Sequence, residues 1–560
     1  MANYTITFKC EGSGDQKVSA AFGENILTLA QKANVMIDAP CSGNGTCGKC
    51  RVRLISGIVD SGRSSRLSDE DYEDGWRLAC QSTVAADAVL WVPAAAGAFV
   101  SGIQTADLGS SEEVERYSAK MDEIFSAGIS RGCSEAGYGV AIDIGTTTVA
   151  AVLLELDSRK IVAKTSAGNG QIRYGADVIN RIIQSSRPGG REKLQKAVRE
   201  ETIVPLMRNM CASAGVNADD ISRIVIAGNT TMEHLFVGAN AESIRLEPYV
   251  PEFLELHGKT AGELGLPANA DAKVIFAPNV GSYVGGDITA GVLASMLWNS
   301  EEMSLFVDLG TNGELVFGNQ DFMLCCACSA GPAFEGGDIS CGMRATTGAI
   351  ESCTIDKDTM EPTFTVVGND AKPIGLCGSG LIDVISELFR CGMISAKGKF
   401  DVDGKRIKRD EYGASYVIVF AEESGNGKDI EINEVDLDNF IRAKGAIFSA
   451  IRSMLNSLDM PVEAIEKIRI AGGIGSGIDI GKAISIGMLP MQPLELYSYI
   501  GNSSLIGACA MLLSDEATEK VFELGRNMTY LELSTHPGYM DEFVAACFLP
   551  HTNAELFSAE

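Results

Sequence analysis

The chain has 560 residues and a mass of 59.3 kDa, and its 74 acidic against 46 basic side chains give a formal net charge of −28. This excess argues against nucleic acid or an anionic membrane as the partner, because both require a basic surface. A hydrophobic fraction of 46% is too high for a disordered chain, and the length allows about three or four domains.

Targeting and membrane signals are not evident in the sequence. The most apolar stretch, 85–100, is interrupted by Asp87, Pro93 and Gly97, so it does not predict a transmembrane helix. The N-terminus lacks the basic and apolar regions of a signal peptide. Sixteen cysteines without an export signal indicate thiols and metal ligands rather than a disulfide framework, and we expect a cytoplasmic protein.

Residues 1–95 predict a small α+β domain. Polar and apolar residues alternate from Tyr4 to Cys10, as in a strand, and 18–22 is its expected hairpin partner. Apolar residues at helical spacing predict a helix over 25–33. Further strands are expected at 51–55 and 90–92, with a boundary at the small residues that follow Pro93.

Four cysteines of this domain have the spacing of metal ligands, Cys41-x5-Cys47-x2-Cys50 and then Cys80. A 2Fe–2S cluster needs four thiolates, and glycines make the loop flexible enough for three of them to converge. The alternative is a zinc site, although zinc ligands usually form two close pairs. The pattern resembles the 2Fe–2S ferredoxin domain, with the x5 spacing of adrenodoxin-like ferredoxins rather than the plant-type x4.

A connector over 96–137 contains one amphipathic helix. Its apolar side chains fall on one helical face and belong to Val114, Tyr117, Met121, Ile124 and Phe125. This face either docks on its own chain or forms a contact between the subunits of a dimer.

From residue 138 onward, alternating strands and helices predict an α/β fold that occurs twice. Three segments of the first half recur in the same order in the second. The pairs are 141–147 with 306–312, 224–229 with 468–473, and 285–293 with 501–508. We therefore expect two related lobes, 138–300 and 301–560, with an insertion at about 345–440 in the second.

Each lobe contains a strand that ends in an acidic residue, a glycine turn and hydroxyl side chains. These groups suit Mg²⁺ and phosphate, because a carboxylate binds the cation while hydroxyls and N–H groups bind the phosphate. The residues are Asp143, Gly145, Thr146 and Thr147 in the first lobe, and Asp308, Gly310, Thr311 and Asn312 in the second. Gly472 and Gly473 allow backbone to approach a nucleotide, ahead of a helix expected from Ser476. Alternatively, both Asp residues only stabilise turns.

The ordered set resembles the acetate and sugar kinase/Hsc70/actin superfamily, whose members bind ATP between two lobes of duplicated fold. The resemblance implies phosphate loops at 143–147 and 308–312 and an adenosine site that includes 471–473. It also implies that Gly228 and Asn229 contact the nucleotide.

A 2Fe–2S domain ahead of such an ATPase resembles the reductive activators of corrinoid proteins over nearly the whole chain. The motifs that carry this resemblance are 174–177, 227–232, 278–281, 285–287, 307–314, 328–337, 375–380, 471–473 and 501–504. The resemblance implies ATP-dependent reduction of an inactivated Co(II) corrinoid protein to Co(I), which reactivates a methyltransferase system. The implied cofactors are a 2Fe–2S cluster, ATP and Mg²⁺.

The implied partners are a corrinoid protein, a low-potential donor such as ferredoxin or flavodoxin, and a second copy of the chain in a homodimer, with neither nucleic acid nor a membrane. Three alternatives remain at the sequence level. They are a redox-regulated small-molecule kinase, an activator of a radical dehydratase, and a nucleotide-gated binding module.

Several further residues have structural interpretations. Cys325, Cys326 and Cys328 are expected to be buried thiols, because consecutive strand positions face opposite sides. His234 is expected in a core or a cap. Asp177 and Asp287 either approach Mg²⁺ or cap loops. The loop 328–344, which includes Glu335, faces either the partner or the nucleotide.

Overall fold

A computed structural model describes residues 3–10, 15–33, 35, 37, 39, 45, 48–64, 66–93, 104–105, 112–368, 371–410, 413–473 and 477–557. These residues belong to two compact units. The first unit is Met1–Gly102 with Gly168–Thr202, and the second is Ile103–Ala167 with Ile203–Glu560. In the described ranges, no helix combines the length and the apolar character needed to cross a membrane.

The strands, in chain order, are β1 Asn3–Cys10, β2 Gln16–Ala21, β3 Arg51–Ser61, β4 Trp76–Leu78, β5 Ser82–Val92, β6 Gln104–Thr105, β7 Tyr138–Ile144, β8 Thr148–Glu155, β9 Lys160–Gly168, β10 Ile221–Gly228, β11 Lys259–Thr260, β12 Lys273–Phe276, β13 Ser304–Leu309, β14 Gly313–Gly318, β15 Met323–Cys328, β16 Ala349–Ile355, β17 Pro362–Val366, β18 Gly375–Leu376, β19 Ile407–Asp410, β20 Gly413–Val419, β21 Ile430–Asn433, β22 Lys467–Ala471, β23 Tyr497–Gly501 and β24 Thr529–Tyr530. The α-helices are α1 Ile26–Lys32, α2 Asp69–Glu73, α3 Glu112–Ser126, α4 Val178–Ser185, α5 Gly190–Val198, α6 Val204–Ala214, α7 Thr230–Val237, α8 Glu242–Arg245, α9 Ala261–Leu264, α10 Gly286–Ser295, α11 Gly378–Arg390, α12 Glu434–Ser457, α13 Ile480–Ser485, α14 Ser503–Leu513, α15 Asp515–Asn527 and α16 Tyr539–Ala546.

In the first unit, the N-terminal domain is a five-stranded sheet in the order β2-β1-β5-β3-β4. The predicted hairpin forms between β1 and β2, and β1 pairs with β5 in parallel. Helix α1 begins where Asn25 caps it by accepting from the N–H of Thr28, and it buries Ile26, Leu29 and Ala30 at helical spacing. The result is a mixed sheet with one helix over its core.

The second unit contains a seven-stranded and a six-stranded sheet that share a five-strand order, β12-β10-β7-β8-β9 in one and β23-β22-β13-β14-β15 in the other. The first runs β11-β12-β10-β7-β8-β9-β6 and the second runs β23-β22-β13-β14-β15-β24. In each sheet an antiparallel pair (β7 with β8, β13 with β14) continues into a parallel pair (β7 with β10, β13 with β22). The duplication predicted from three repeated segments is therefore present in the sheet topology.

Two apolar helices lie side by side between the two sheets. Every residue of α14 is buried, as is every residue of α10 except Asp287. A helix that is apolar all round belongs in a core. The helices touch through glycine, since a Cβ at Gly507 would lie 2.0 Å from the carbonyl oxygen of Ala290. This close packing brings the N-termini of both helices to the candidate site.

The connector helix α3 packs on its own unit. Tyr117, Met121, Ile124 and Phe125, from the predicted apolar face, join the core that also holds α10 and α14. This result confirms the intramolecular interpretation of the face, whereas the homodimer remains a prediction. In the insertion, β16–β18 and β19–β21 form two three-stranded sheets. Ser476 lies outside the described residues, and the helix after Gly473 begins at Ile480, capped by Asp479.

Arg223 supports a stability prediction. Its side chain is 1% exposed, and it donates to Glu135, Asp515, the carbonyl of Met511 and Thr518. Arg223→Met removes these hydrogen bonds, and because the carboxylate partners Glu135 and Asp515 are 16% and 49% exposed and regain contact with water, the cost is about 1.5–3 kcal/mol. We expect the free energy of unfolding in urea to fall by this amount.

The matched control is Arg442→Met. Arg442 and Asp438 form an ion pair one helical turn apart whose side chains are 55% and 59% exposed. Exposed pairs of this kind contribute about 0.3–0.5 kcal/mol. If the two variants had equal free energies of unfolding, the structural role assigned to Arg223 would be wrong.

Candidate functional site

The two predicted acidic loops occupy equivalent places in the two sheets. Asp143 pairs with Ala227 across β7 and β10, and Asp308 pairs with Ala471 across β13 and β22. Both pairs lie at the carboxyl ends of parallel strands, the edge where α/β sheets bind ligands.

The start of α14 holds both of these carboxylates. The Asn502 amide donates to Asp143 Oδ2 at 2.8 Å, and the Ser504 hydroxyl donates to Asp143 Oδ1 at 2.9 Å. The Ser503 hydroxyl donates to Asp308 Oδ2 at 3.3 Å. Asn502, Ser503 and Ser504 fall in the repeated segment 501–508, but neither the repeat nor the family resemblance assigns them a role. The contacts of Asn502 and Ser504 with Asp143 span about 360 positions, and that of Ser503 with Asp308 spans 195, so no local pattern reveals them.

Four acidic groups influence one another at this place. Desolvation, followed by the charge of Asp143, raises the pKa of Asp308 to about 7. Desolvation and the charges of Asp143 and Asp308 raise the pKa of Asp287 to about 8. Desolvation also raises the pKa of Asp143, and that of Glu314 well above its usual range. A cluster of four acidic side chains favours binding of a cation, because a cation relieves the repulsion among the carboxylates.

The two loops meet through their threonines. The Oγ1 atoms of Thr147 and Thr311 are 3.0 Å apart. Both hydroxyls also donate to one carboxylate, Thr147 to Glu335 Oε2 at 3.0 Å and Thr311 to Glu335 Oε1 at 2.7 Å. The sequence left two positions open for the loop around Glu335, one facing a partner and one facing the nucleotide. In the structure Glu335 lies beside the acidic loops.

Thr146 and Asn229, both predicted to contact nucleotide, contact each other. The Asn229 amide donates to Thr146 Oγ1 at 3.0 Å, and the Asn229 carbonyl oxygen caps α7 through Met232 N. A Cβ at Gly228 would lie 3.1 Å from the Ile144 carbonyl oxygen, so this glycine lets β7 and β10 approach closely. Asn312 hydrogen-bonds Glu314.

The predicted glycines differ in what surrounds them. A Cβ at Gly145 would lie 2.5 Å from the Thr148 carbonyl oxygen, which requires glycine in this turn. Gly472 has a φ of +94°, and a Cβ there would lie 2.3 Å from the Leu309 carbonyl oxygen, so this position requires glycine. Gly473 faces open space, and Gly310 has no neighbour closer than 3.8 Å.

The cluster residues lie in the N-terminal domain. Cys50 and Cys80 have their Sγ atoms 3.2 Å apart, and the Ala79 N–H donates to the Cys50 carbonyl. Two thiolates on one tetrahedral metal, with bonds of about 2.3 Å, lie about 3.8 Å apart, so the two sulfurs would have to separate by about 0.6 Å to share one metal. Cys41 and Cys47 lie outside the described residues. Gly45 and Gly48, two of the glycines expected to make this loop flexible, have φ values of +76° and +70°, in the left-handed region that favours glycine.

Other candidate residues have structural roles. Cys325, Cys326 and Cys328 are buried, and desolvation raises the pKa of each thiol. Buried His234 stacks on Phe253, and its Nδ1 lies 2.7 Å from the Thr230 carbonyl oxygen. Asp177 caps α4 in the first unit by accepting from Asn180 N at 2.8 Å. His234 is therefore a core residue, and Asp177 is a helix cap.

The raised pKa values predict a pH-dependent stability. Unfolded Asp ionises near pH 4, whereas Asp308 and Asp287 retain their protons to about pH 7 and 8. The folded state therefore binds more protons across this window, and stability falls as pH rises, by about 1.4 kcal/mol per unit for each group. We expect Asp308→Asn to reduce the fall in melting temperature between pH 5.5 and 8. An unchanged slope in this variant would contradict the assignment.

Together these observations define a class: a ferredoxin-type 2Fe–2S domain in one chain with a duplicated, actin-like nucleotide-binding unit. Comparison with known families agrees, since residues 8–85 match the 2Fe–2S iron-sulfur cluster binding domain, 138–300 the RACo middle region, and 302–560 the C-terminal domain of RACo, the ASKHA domain. The chain belongs to the family of RACo-type corrinoid activation proteins.

Individual relatives are similar over most of their length. Corrinoid activation enzyme RamQ of Eubacterium limosum is 35% identical over 73% of this chain and 69% of its own. The [Co(II) methylated amine-specific corrinoid protein] reductase of Methanosarcina barkeri is 24% identical over 70% and 73%. Among solved structures, the reductive activator for corrinoid, iron-sulfur protein is 39% identical, with a TM-score of 0.70 and 99% coverage of both chains.

Proposed function

We propose that this protein uses ATP to transfer one low-potential electron to an inactive Co(II) corrinoid protein, restoring the Co(I) state for a methyltransferase system. The observation that carries the proposal is a cluster-binding domain in the same chain as a two-lobed nucleotide site. The names of its relatives support this choice, since they describe corrinoid activation and Co(II) corrinoid reduction. The small-molecule kinase and the binding module are less well supported.

In this proposal, Asp143 and Asp308 bind Mg²⁺, directly or through water, while Thr147 and Thr311 bind phosphate. Mg²⁺ is usually bound by one or two carboxylates together with substrate phosphates. Asn502 and Ser503 orient the two carboxylates from α14. The remaining predicted nucleotide contacts are Gly145, Thr146, Gly228, Asn229, Gly310, Asn312, Gly472 and Gly473.

The cysteine ligands Cys41, Cys47, Cys50 and Cys80 would hold the 2Fe–2S cluster. When bound, such a cluster supplies one-electron transfer at low potential. The Asn25 amide donates to the Cys80 carbonyl oxygen at 2.8 Å and so fixes the backbone of the fourth ligand. Hydrogen bonds near the ligands tune the potential of the site.

ATP is needed because Co(II) reduction is energetically uphill. An electron that crosses a gap of 100 mV requires about 2.3 kcal/mol. Binding or hydrolysis of ATP supplies this energy only if this protein binds the corrinoid protein more tightly when the corrinoid is in the state that accepts the electron than when it is in its resting state. We infer that the nucleotide unit changes the surroundings of cobalt in that complex.

The proposal includes three further features. The donor is a low-potential protein such as ferredoxin or flavodoxin, the setting is the cytoplasm, and the active form is a homodimer. The chain is divided into a ferredoxin-like domain at 1–95, a connector at 96–137, and ATPase lobes at 138–300 and 301–560.

An anoxic pull-down from cell extract tests the proposal. The tagged protein is used with and without Mg-ATP, and the bound fraction is read for cobalt and for cobalamin absorbance. We expect a cobalamin-containing partner whose recovery changes with ATP. Recovery of no cobalamin under either condition, together with ADP formation that follows a sugar or an acid, would favour the kinase instead.

A further inference from the structure

Glu335 joins the two acidic loops through hydrogen bonds that use both of its carboxylate oxygens. Thr147 and Thr311 each donate to a different oxygen, at 3.0 and 2.7 Å. A hydroxyl carries one proton, so both protons are committed to Glu335. The 3.0 Å contact between the two hydroxyl oxygens therefore has no proton of its own, and the carboxylate is the group that holds this contact closed.

A phosphate bound by both loops needs the same two protons. Phosphate oxygens, like carboxylate oxygens, accept from hydroxyls, and two anions at one pair of donors repel each other. ATP carries more negative charge than ADP, so the repulsion by Glu335 is larger for ATP. Bound ATP and the bridging position of Glu335 are thus in competition.

We propose that Glu335 is a latch that holds the two phosphate loops against each other. The phosphates of ATP release this latch more effectively than those of ADP. The latch rests on the nucleotide site of the proposed function, and it adds a nucleotide-dependent movement of the loop around Glu335.

The part of this loop that follows Glu335, residues 338–340, is attached to α12. The Ser340 N–H donates to Asp436 at 2.7 Å, and Asp436 belongs to the capping box of that helix. The Asn439 amide donates to the Asp338 carbonyl oxygen at 2.7 Å. Release of Glu335 therefore frees the loop at Glu335, while residues 338–340 stay attached to α12.

Calorimetric titration of the full chain with Mg-ATP and with Mg-ADP tests the latch. Glu335→Gln removes the charge but keeps the size of the side chain. We expect its Kd for ATP to fall about tenfold and its Kd for ADP to change less than about threefold. Asp338→Asn removes a carboxylate from the exposed part of the same loop, and it should bind both nucleotides as the wild type does.

A second measurement needs no variant. Arg344 is the only Lys or Arg between residues 274 and 356, and its guanidinium interacts with the charge of Glu335. Release of Glu335 removes this interaction, so trypsin reports on the latch at one bond. We expect ATP, but not ADP, to accelerate cleavage after Arg344 in the wild type, followed by mass spectrometry. Glu335→Gln should be cleaved rapidly with either nucleotide.

Two failures can be told apart. If the wild type binds neither nucleotide, the proposed function is wrong and the latch with it. If the wild type binds ATP, but Glu335→Gln binds it no more tightly and ATP leaves cleavage at Arg344 unchanged, the latch alone is wrong.

Discussion

Replacing Asp308 with Ala should abolish ATP-dependent reduction of the corrinoid partner, with a loss of about a hundredfold or more. Asp308 lies at the strand end of the second lobe, where Ser503 orients it, and the charge of Asp143 helps to raise its pKa to about 7. In the proposed function this carboxylate binds the cation that accompanies the phosphates, so we expect its loss to weaken nucleotide binding and misplace the nucleotide. The measurement is the initial rate of Co(I) formation at saturating Mg-ATP.

Asp321→Ala is the matched control for this substitution. Asp321 is an exposed carboxylate in the turn between β14 and β15 of the same lobe. The control should reduce the partner at the wild-type rate. Full ATP-dependent activity in Asp308→Ala would show that the phosphate site is elsewhere.

Replacing Cys80 with Ser should remove the cluster and with it all electron transfer, while the nucleotide unit still binds ATP. Cys80 and Cys50 have their sulfurs 3.2 Å apart, and loss of one thiolate leaves three of the four ligands that a 2Fe–2S cluster requires. Iron content and visible absorbance of the purified protein should fall to a small fraction of wild-type values. Reduction should fall at least about a hundredfold.

Cys10→Ser serves as the control for Cys80→Ser. Cys10 ends β1 in the same domain but does not belong to the ligand spacing. This variant should retain full iron content and activity. An intact cluster in Cys80→Ser would remove Cys80 from the ligand set.

Features that depend on local pattern were predictable from the sequence. Strand alternation identified β1, and helical spacing identified the buried face of α3. The order of three repeated segments predicted the duplicated sheets, because a repeated fold keeps the order of its motifs. The spacing of Cys50 and Cys80 likewise predicted a pair that the structure shows with adjacent sulfurs.

Features that depend on distant contacts were not predictable. Asn502 meets Asp143 across 359 positions, and Glu335 meets Thr147 across 188. The first contact arises from the packing of α14 between two sheets and the second from the loop that follows β15, and no periodicity records either. Gly472 shows a second limit, since its positive φ and the nearby Leu309 carbonyl explain the need for glycine, whereas its contact with nucleotide stays a prediction. A glycine motif indicates that another group lies close to the backbone, but it does not identify that group.

The most direct test of the proposed reaction is spectroscopic observation of cobalt. Purified protein, reduced by a low-potential donor under strict anoxia, is mixed with a Co(II) corrinoid partner, with Mg-ATP, with Mg-ADP or without nucleotide. We expect stoichiometric conversion of Co(II) to Co(I) with Mg-ATP and little conversion in the other two mixtures. Co(II) that remains unreduced with Mg-ATP, or that is reduced equally fast without nucleotide, would contradict an ATP-dependent corrinoid reductase.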